Sequence, residues 1–342
     1  GGGFSDGFIL KLARSGRSLV YSSFIGGSGF EEVRAVAVDA AGAAYVLGIT
    51  MSRDFPVQQP FQKAFKGGQD VFLAKVSPDG RSLSYSTLLG GSGYDYAGGI
   101  AVDAAGSAHA TGYTNSKDFP VKKAVQSGPG GNADLYLAKF SPDGRTLRYS
   151  TYLGGSQAEQ EPSIALAADG SAVVSGTTNG NFPVRNAFQR TRKGSSDGVV
   201  AKLSPTGALA FSTFLGGKGV DRLYKVALGK DGTIYLAGYS ESPDFPRKNP
   251  CQTTLKGKSD AVLAALSGDG LRLVFSTFLG GRYHDYGKAI AVGPDGAVFI
   301  GGETNSLDFP VVGAYQNSLK GGLNDMFVSK FKPSSATRPK NE

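Results

Sequence analysis

The stretch Tyr85–Pro120, YSTLLGGSGYDYAGGIAVDAAGSAHATGYTNSKDFP, decides the fold, because a close variant of it occurs five times in this 342-residue chain. The register is set by an Asp that opens an apolar segment. It reads DGFILKL at Asp6, DVFLAKV at Asp70, DLYLAKF at Asp134, DGVVAKL at Asp197, DAVLAAL at Asp260 and DMFVSKF at Asp325, with separations of 64, 64, 63, 63 and 65 residues. A period kept so closely is expected of units that stack on one another in fixed geometry.

Each unit predicts four strands. VFLAKV runs into SPDG, a turn with Pro second and Gly closing. SLSYSTLL alternates at the strand period. A GGSG loop leads to IAVDAAGSAHATGYT, two short strands about the turn Asp103–Gly106. A connection of 16–20 residues carrying DFPV returns to the next Asp. Helical periodicity is absent at any useful length. The expectation is an all-β chain, a β-propeller of four-stranded antiparallel blades, with five blades, or six if the ring is completed differently.

Side-chain size orders the strands. The one holding Ala37, Ala101, Ala165, Ala227 and Ala291 is small and apolar, as suits the innermost position, strand A. The strand ending near Gly48, Gly112, Gly176, Gly238 and Gly302 is B, the Asp-initiated strand is C and YSTLL is D. One propeller domain is expected over residues 1–332, with repeats starting near 6, 70, 134, 197 and 260 and a partial repeat at 325. Residues 333–342 read as a disordered C-terminal tail. The C–D hairpin of residues 6–25 is expected to complete the blade begun at 289–303, which would remove open edges.

Composition narrows the chemistry. There are 51 Gly, no Trp, two His, two Met and one Cys, so neither a disulfide framework nor a metal-ligand motif is in evidence. No cofactor is expected. The charge of +8 suits an anionic partner. No apolar run is long enough for a membrane helix. The chain opens inside a repeat, so the native N-terminus is expected upstream and the lack of a leader carries no weight.

The recurrent pattern DxFxAKxSPDGxxLxYSTxLGGSGxDxxxxIAVDAAGxAYVxGxT resembles the bacterial seven-bladed β-propeller (SBBP) repeat family over residues 5–332. That resemblance implies a propeller from large, exported or surface-associated bacterial proteins, placed outside the cell, in the periplasm or on the cell surface. It implies no catalytic residue.

Two constellations stand out. Glu31, Asp95, Glu159, Asp221 and Asp285 each precede strand A, where a closed ring would gather them at a channel mouth. They could contact a cation or a ligand, and the structural reading, each carboxylate accepting N–H groups of its own Gly-rich loop, is preferred. The long B–C loops carry 15 Lys and Arg against 5 Asp and Glu, more net positive charge than the whole chain. Lys63, Lys66, Lys122, Lys123, Arg185, Arg190, Arg192, Lys193, Arg247, Lys248, Lys256 and Lys258 are the candidate ligand contacts there. Phe55, Phe119, Phe182, Phe245 and Phe309, with an apolar residue before each loop Gln, are expected to anchor these loops. Cys251 holds one such slot and reads as a small buried hydrophobe. His109 is expected to pack within its B strand, and His284 to lie on a surface loop.

Because the notable residues recur in every blade, the expected function is a non-catalytic interaction or scaffold module, not an enzyme, monomeric, with an unknown protein or an anionic glycan as partner. Nucleic acid is disfavoured, since the basic loops carry no aromatic stacking platform. The alternatives are a multivalent lectin-like propeller and a glycoside hydrolase using channel-mouth carboxylates.

Overall fold

A computed structural model describes residues 3–332 and is all-β. The tail at 333–342 lies outside the described residues. A two-stranded sheet of β1 (Gly7–Leu12) and β2 (Leu19–Ile25) comes first. The next sheet is β3 (Glu31–Val38), β4 (Ala44–Thr50), β5 (Asp70–Val76) and β6 (Leu83–Leu89), in chain order A to D. The same order holds for β7 (Asp95–Val102), β8 (Ala108–Thr114), β9 (Asp134–Phe140) and β10 (Leu147–Leu153). It holds again for β11 (Glu159–Leu166), β12 (Ala172–Thr178), β13 (Asp197–Leu203) and β14 (Leu209–Leu215). β15 (Asp221–Leu228), β16 (Ile234–Ser240), β17 (Asp260–Leu266) and β18 (Leu273–Leu279) form the last complete sheet. β19 (Asp285–Val292), β20 (Val298–Thr304) and β21 (Asp325–Phe331) form a three-stranded one. These are antiparallel blades of β-propeller type.

The turns work as their sequences dictate. In SPDG, Gly80 takes φ +74°, a conformation that a Cβ would strain, and donates to the Ser77 carbonyl at 2.9 Å. Asp79 Oδ1 accepts the Ser77 hydroxyl at 2.6 Å and the Arg81 N–H at 3.2 Å, closing the turn from within.

Strand C is buried on both faces, which is why it reads as a near-continuous apolar run instead of an alternation. Val71, Phe72, Leu73 and Ala74 are all inaccessible to solvent. Phe72, Ala74 and Val76 pack toward Ile9 and Ile25 of the preceding sheet. Val71 and Leu73 join Tyr136, Ala138 and Phe140 of the following one. Each blade therefore contributes to two cores.

The chain separates into two compact units. Val200–Ser212 joins everything up to Arg185 in the first, and Asn186–Val199 joins everything from Thr213 onward in the second.

One expectation is corrected. The N-terminal hairpin does not complete the blade of β19 and β20. Instead β20 pairs with β21 at every position from Val298↔Phe331 to Thr304↔Asp325, while β1 and β2 pair with each other. Six sheets result among the described residues, two of them partial. The reason is connectivity: β21 follows β20 through the single B–C loop of residues 305–324, whereas the expected pairing would close a loop of nearly the whole chain.

Candidate functional site

The five carboxylates before strand A are buried, and each is spent on its own blade. Asp95 Oδ2 accepts the Gly91 N–H at 2.8 Å and the Ser116 hydroxyl at 3.0 Å, and Oδ1 accepts the Thr114 hydroxyl. Glu31 takes Gly27 N–H and Thr50, Glu159 takes Gly155 N–H and Thr178, and Asp221 takes Gly217 N–H and Ser240. Asp285 repeats the scheme with Gly281 N–H and Ser306.

A second carboxylate, from the Asp that opens strand C, stands beside each. A Cβ on Gly90 would lie 2.6 Å from Asp70 and 2.7 Å from Asp95, so this position in the GGSG loop must be glycine. Burial pushes Asp95 and Asp221 up to about 6 and Glu159 up to about 8, with the neighbouring C-strand Asp adding to each shift. Among the described residues no group of three or more His, Cys, Asp and Glu could hold a metal ion.

The Asp-Phe-Pro triplet clamps the GGSG loop of its own blade. Asp118 Oδ1 accepts both the N–H and the hydroxyl of Ser92, at 2.7 and 2.9 Å, and Asp54 does the same for Ser28. Asp244 and Asp308 hold Lys218 and Arg282 by their N–H groups. The Phe is the anchor: Phe55, Phe119, Phe182 and Phe245 are all buried. The residue before Gln varies: Phe61 is half-buried against the core and meets the Phe140 ring edge-on at 6.0 Å, and Phe188 is half-buried. Val125 and Tyr315 are exposed, and so is Cys251, which corrects its reading as a buried hydrophobe. The loop also bonds through the Gln backbone and amide, with Gln62 and Gln189 buried.

Of the basic loop residues, Lys63, Lys66, Lys122, Lys123, Arg185, Arg190, Lys193, Arg247, Lys248, Lys256 and Lys258 are exposed and Arg192 is half-buried. Their backbones are fixed: Lys122, Arg185 and Lys248 bridge to Ser150, Ser212 and Ser276 of the adjoining D strands. Arg247 lies over the Phe278 ring at 5.5 Å, and the Arg192 guanidinium bonds the Gly194 carbonyl. His109 is fully buried between Asp103 and Tyr149, and burial lowers it to about 4. His284 is half-buried, its Nδ1 2.9 Å from the Ser259 hydroxyl.

The sequence reading missed a third set. Every A strand carries a bulge near its start, between Val33 and Ala35, Ala97 and Gly99, Gln160 and Ser163, Leu223 and Lys225, and Gly287 and Ala289. A bulge re-aims side chains and is common beside functional sites. The repeat breaks down at these positions. The residue after the recurring acid is Glu32, Tyr96, Gln160, Arg222 or Tyr286, and the bulged residues are Arg34, Gly98, Glu161 with Pro162, Tyr224 and Lys288.

In the first unit Arg34 pairs with Glu32 at 3.0 Å, and Tyr96 stacks on Tyr113 with centroids 4.3 Å apart. Glu161 takes φ +61°, rare for a side chain of its size, and accepts the Thr177 hydroxyl at 3.0 Å. In the second unit the Lys288 ammonium sits 4.1 Å from the Tyr224 ring and 5.1 Å from Tyr286, and 3.5 Å from Glu303. Tyr239 meets Tyr286 edge-on at 4.8 Å, and His284 lies parallel to Tyr286. Aromatic faces ringed by charged groups suit a ligand with an apolar face and a polar rim. The signal in the sequence was irregularity within a regular strand.

The SBBP model, a beta-propeller repeat, matches residues 84–120. Regulatory protein FlaEY of Caulobacter vibrioides is 29% identical over 143 residues, which are 41% of this chain and 15% of that protein. The chain thus spans a small part of the length of that relative. Solved structures of similar fold include an XC5397 gluconolactonase from Xanthomonas campestris, with 14% identity, coverage of 85% and 74% of the two chains and a TM-score of 0.37. NanB sialidase from Streptococcus pneumoniae has 9% identity, coverage of 82% and 54%, and a TM-score of 0.44. Likeness at this level reaches the fold alone.

The expectation of a non-catalytic scaffold, and with it the answer that the protein is no enzyme, is corrected. It rested on every notable residue recurring in all blades, and the bulged strands carry residues that do not recur. Among the described residues, no helix is long and apolar enough to cross a membrane.

Proposed function

We propose that this protein hydrolyses acidic glycans, with its site at the bulged ends of the A strands of the first unit, β3, β7 and β11. One observation carries the reading: at equivalent positions of an otherwise strict repeat the first unit has Glu32, Tyr96 and Gln160, accessible and chemically unlike one another. Catalysis needs different groups in different roles, which a symmetric ring cannot supply.

The five buried carboxylates are occupied with their own loops and are not assigned to the reaction. Glu32 and Glu161 stand on bulged strands within reach of solvent and are the assigned carboxylates. One protonates the leaving oxygen and the other activates water or attacks the sugar. Tyr96 offers a face to a sugar ring, and Arg34 with the exposed Lys63, Lys66, Lys122 and Lys123 of the same unit meets the acidic groups. Export to the periplasm or the cell surface belongs to the same reading and rests on the family resemblance, and a monomeric state is proposed with it.

The test is release of reducing ends from a panel of acidic and neutral polysaccharides. Turnover of an acidic glycan that disappears in Glu161→Gln while binding persists supports the proposal. Binding without turnover on every substrate returns the lectin reading and overturns this one. Affinity should weaken as salt rises toward a Debye length of about 8 Å or less.

A further inference from the structure

The bulge of β19 brings a cation onto a group of aromatic rings inside the second unit. Lys288 is the extra residue of that bulge, between Gly287 paired to Gly302 and Ala289 paired to Gly301. Tyr224 holds the same place in β15, between Leu223 and Lys225. A Cβ on Gly287 would lie 3.0 Å from the Gly238 carbonyl, so a glycine here lets β19 come close to β16 beside Tyr239. Lys288 Nζ stands 4.1 Å from the centre of the Tyr224 ring and 5.1 Å from that of Tyr286, with a Glu303 oxygen 3.5 Å away on β20.

The loop that leads into β19 is fixed through four successive N–H groups. Gly281 donates to Asp285 at 2.9 Å, Arg282 to Asp308 at 2.8 Å, Tyr283 to Ser306 at 2.9 Å and His284 to Asn305 at 2.7 Å. The His284 ring, parallel to Tyr286, and the Tyr239 ring, edge-on to it, flank that tyrosine. A free lysine gives up much side-chain freedom when it binds. Here two ring faces and a carboxylate order the ammonium beforehand.

Its charge is still available. The 3.5 Å contact with Glu303 is longer than a charge-assisted hydrogen bond, and 45% of the Lys288 side chain is accessible. Nothing in the repeat demands the arrangement, since the corresponding bulges of the first unit carry Arg34, Gly98 and Glu161. The cluster lies where β19 packs on β15 and β16 of the preceding sheet. It is separate from the open cleft of about 1040 Å³ beside β21, which Phe309 and Phe327 line.

We propose that Tyr224, Tyr286 and Lys288 form a second binding site, for a uronic acid residue of a polysaccharide. A uronate carries its carboxylate directly on the sugar ring, so its anion and its C–H face are as close together as Lys288 Nζ and the tyrosine rings. The carboxylate accepts from Lys288 in place of the loose Glu303 contact, and the C–H face rests on the half-buried tyrosines. Glu303 is the one carboxylate of the cluster and glycoside hydrolysis takes a pair, so the site holds the glycan without cutting it. The choice of an acidic glycan rests on the function proposed above; binding at Lys288 does not require turnover in the first unit.

The test is acetylation of the whole chain by acetic anhydride, followed at Lys288 by mass spectrometry, with tetragalacturonate as the probe. It is run on the parent and on Glu161→Gln, which leaves the probe intact. Acetylation of Lys288 should slow saturably as the sugar is added. The fully methyl-esterified tetramer, which keeps the rings and lacks the charges, should not slow it. Lys230, exposed past the other end of β15, should react at one rate throughout. Tyr286→Leu should need about fivefold more sugar for half-protection. The ester alters the probe and not the protein, so misfolding cannot imitate its result. No protection of Lys288, or equal protection by acid and ester, overturns the proposal. The two readings fail separately: protection without turnover of any acidic glycan removes the hydrolase and keeps this site, and turnover without protection does the reverse.

Discussion

Asp134 and Glu159 close on the same glycine, Gly154, from two strands, and both side chains are fully buried. Two buried carboxylates this close cannot both ionise cheaply, so the charge on one holds the proton on the other to higher pH. Burial and the Asp134 charge carry Glu159 up to about 8, and Asp134 is raised as well.

Stability should therefore fall as pH rises from 5 to 8.5. A carboxyl whose pKa is raised on folding binds more protons in the native state, so its contribution is complete below the unfolded pKa and is lost through the folded one. Asp95 and Asp221 set the window near 6, and Glu159 extends it to about 8. A melting series should show the decline, roughly 2–4 °C for each kcal/mol lost. In Glu159→Gln the step between 7 and 8.5 should vanish while the step near 6 remains. A melting temperature that rises steadily over this range would contradict the shared-proton arrangement.

The loop clamp makes a smaller prediction. Asp118→Ala leaves the Ser92 N–H and hydroxyl without their acceptor and should cost about 1–2 kcal/mol in urea unfolding. Asp118→Asn, which keeps an acceptor oxygen, should recover most of that. Equal loss in both variants would mean that charge, not the bond to the loop, is what matters.

The period, the turns and the strand order were legible because each rests on local chemistry. Gly80 must close its turn, and Asp70 must open a strand whose run of VFLA packs on both sides. The pairing of β20 was not legible, because Asp6 and Asp325 open equally good C strands and only chain connectivity chooses between them. The exposure of Cys251 was missed for a related reason: the pattern apolar–Gln suggested an anchor, whereas the amide of Gln252 makes the contact. The bulged residues escaped because a repeat draws attention to what recurs, and Glu161 and Lys288 do not.

Equivalent phenylalanines should differ sharply in their worth. Phe119 is 3% exposed, its ring 4.6 Å from Tyr136 and its N–H bonded to the Tyr152 hydroxyl at 3.0 Å. Phe119→Ala should cost about 3–5 kcal/mol, the range for a large core deletion. Phe309 makes the same ring contact with Phe327 but sits half-exposed beside the open cleft. Phe309→Ala should cost less than half as much in the same denaturant series. Equal losses would show the last blade to be as tightly packed as the interior ones.

Glu161 separates strain from function. A non-glycine residue at φ +61° costs on the order of 1 kcal/mol, which glycine would relieve, while the side chain recovers part of this through Thr177. Glu161→Gly should then leave the melting temperature within about 2 °C of the parent, since relief of strain and loss of one hydrogen bond are of similar size. Glycan turnover should disappear in the same variant. Lys122→Ala, in the same unit, should raise KM for an acidic glycan with little change in kcat, because it removes a charge assigned to the ligand and not to the bond being broken. If Glu161→Gly kept full turnover, the strained backbone of β11 would be a feature of the bulge alone, and the assigned carboxylate would have to be sought elsewhere on the A strands.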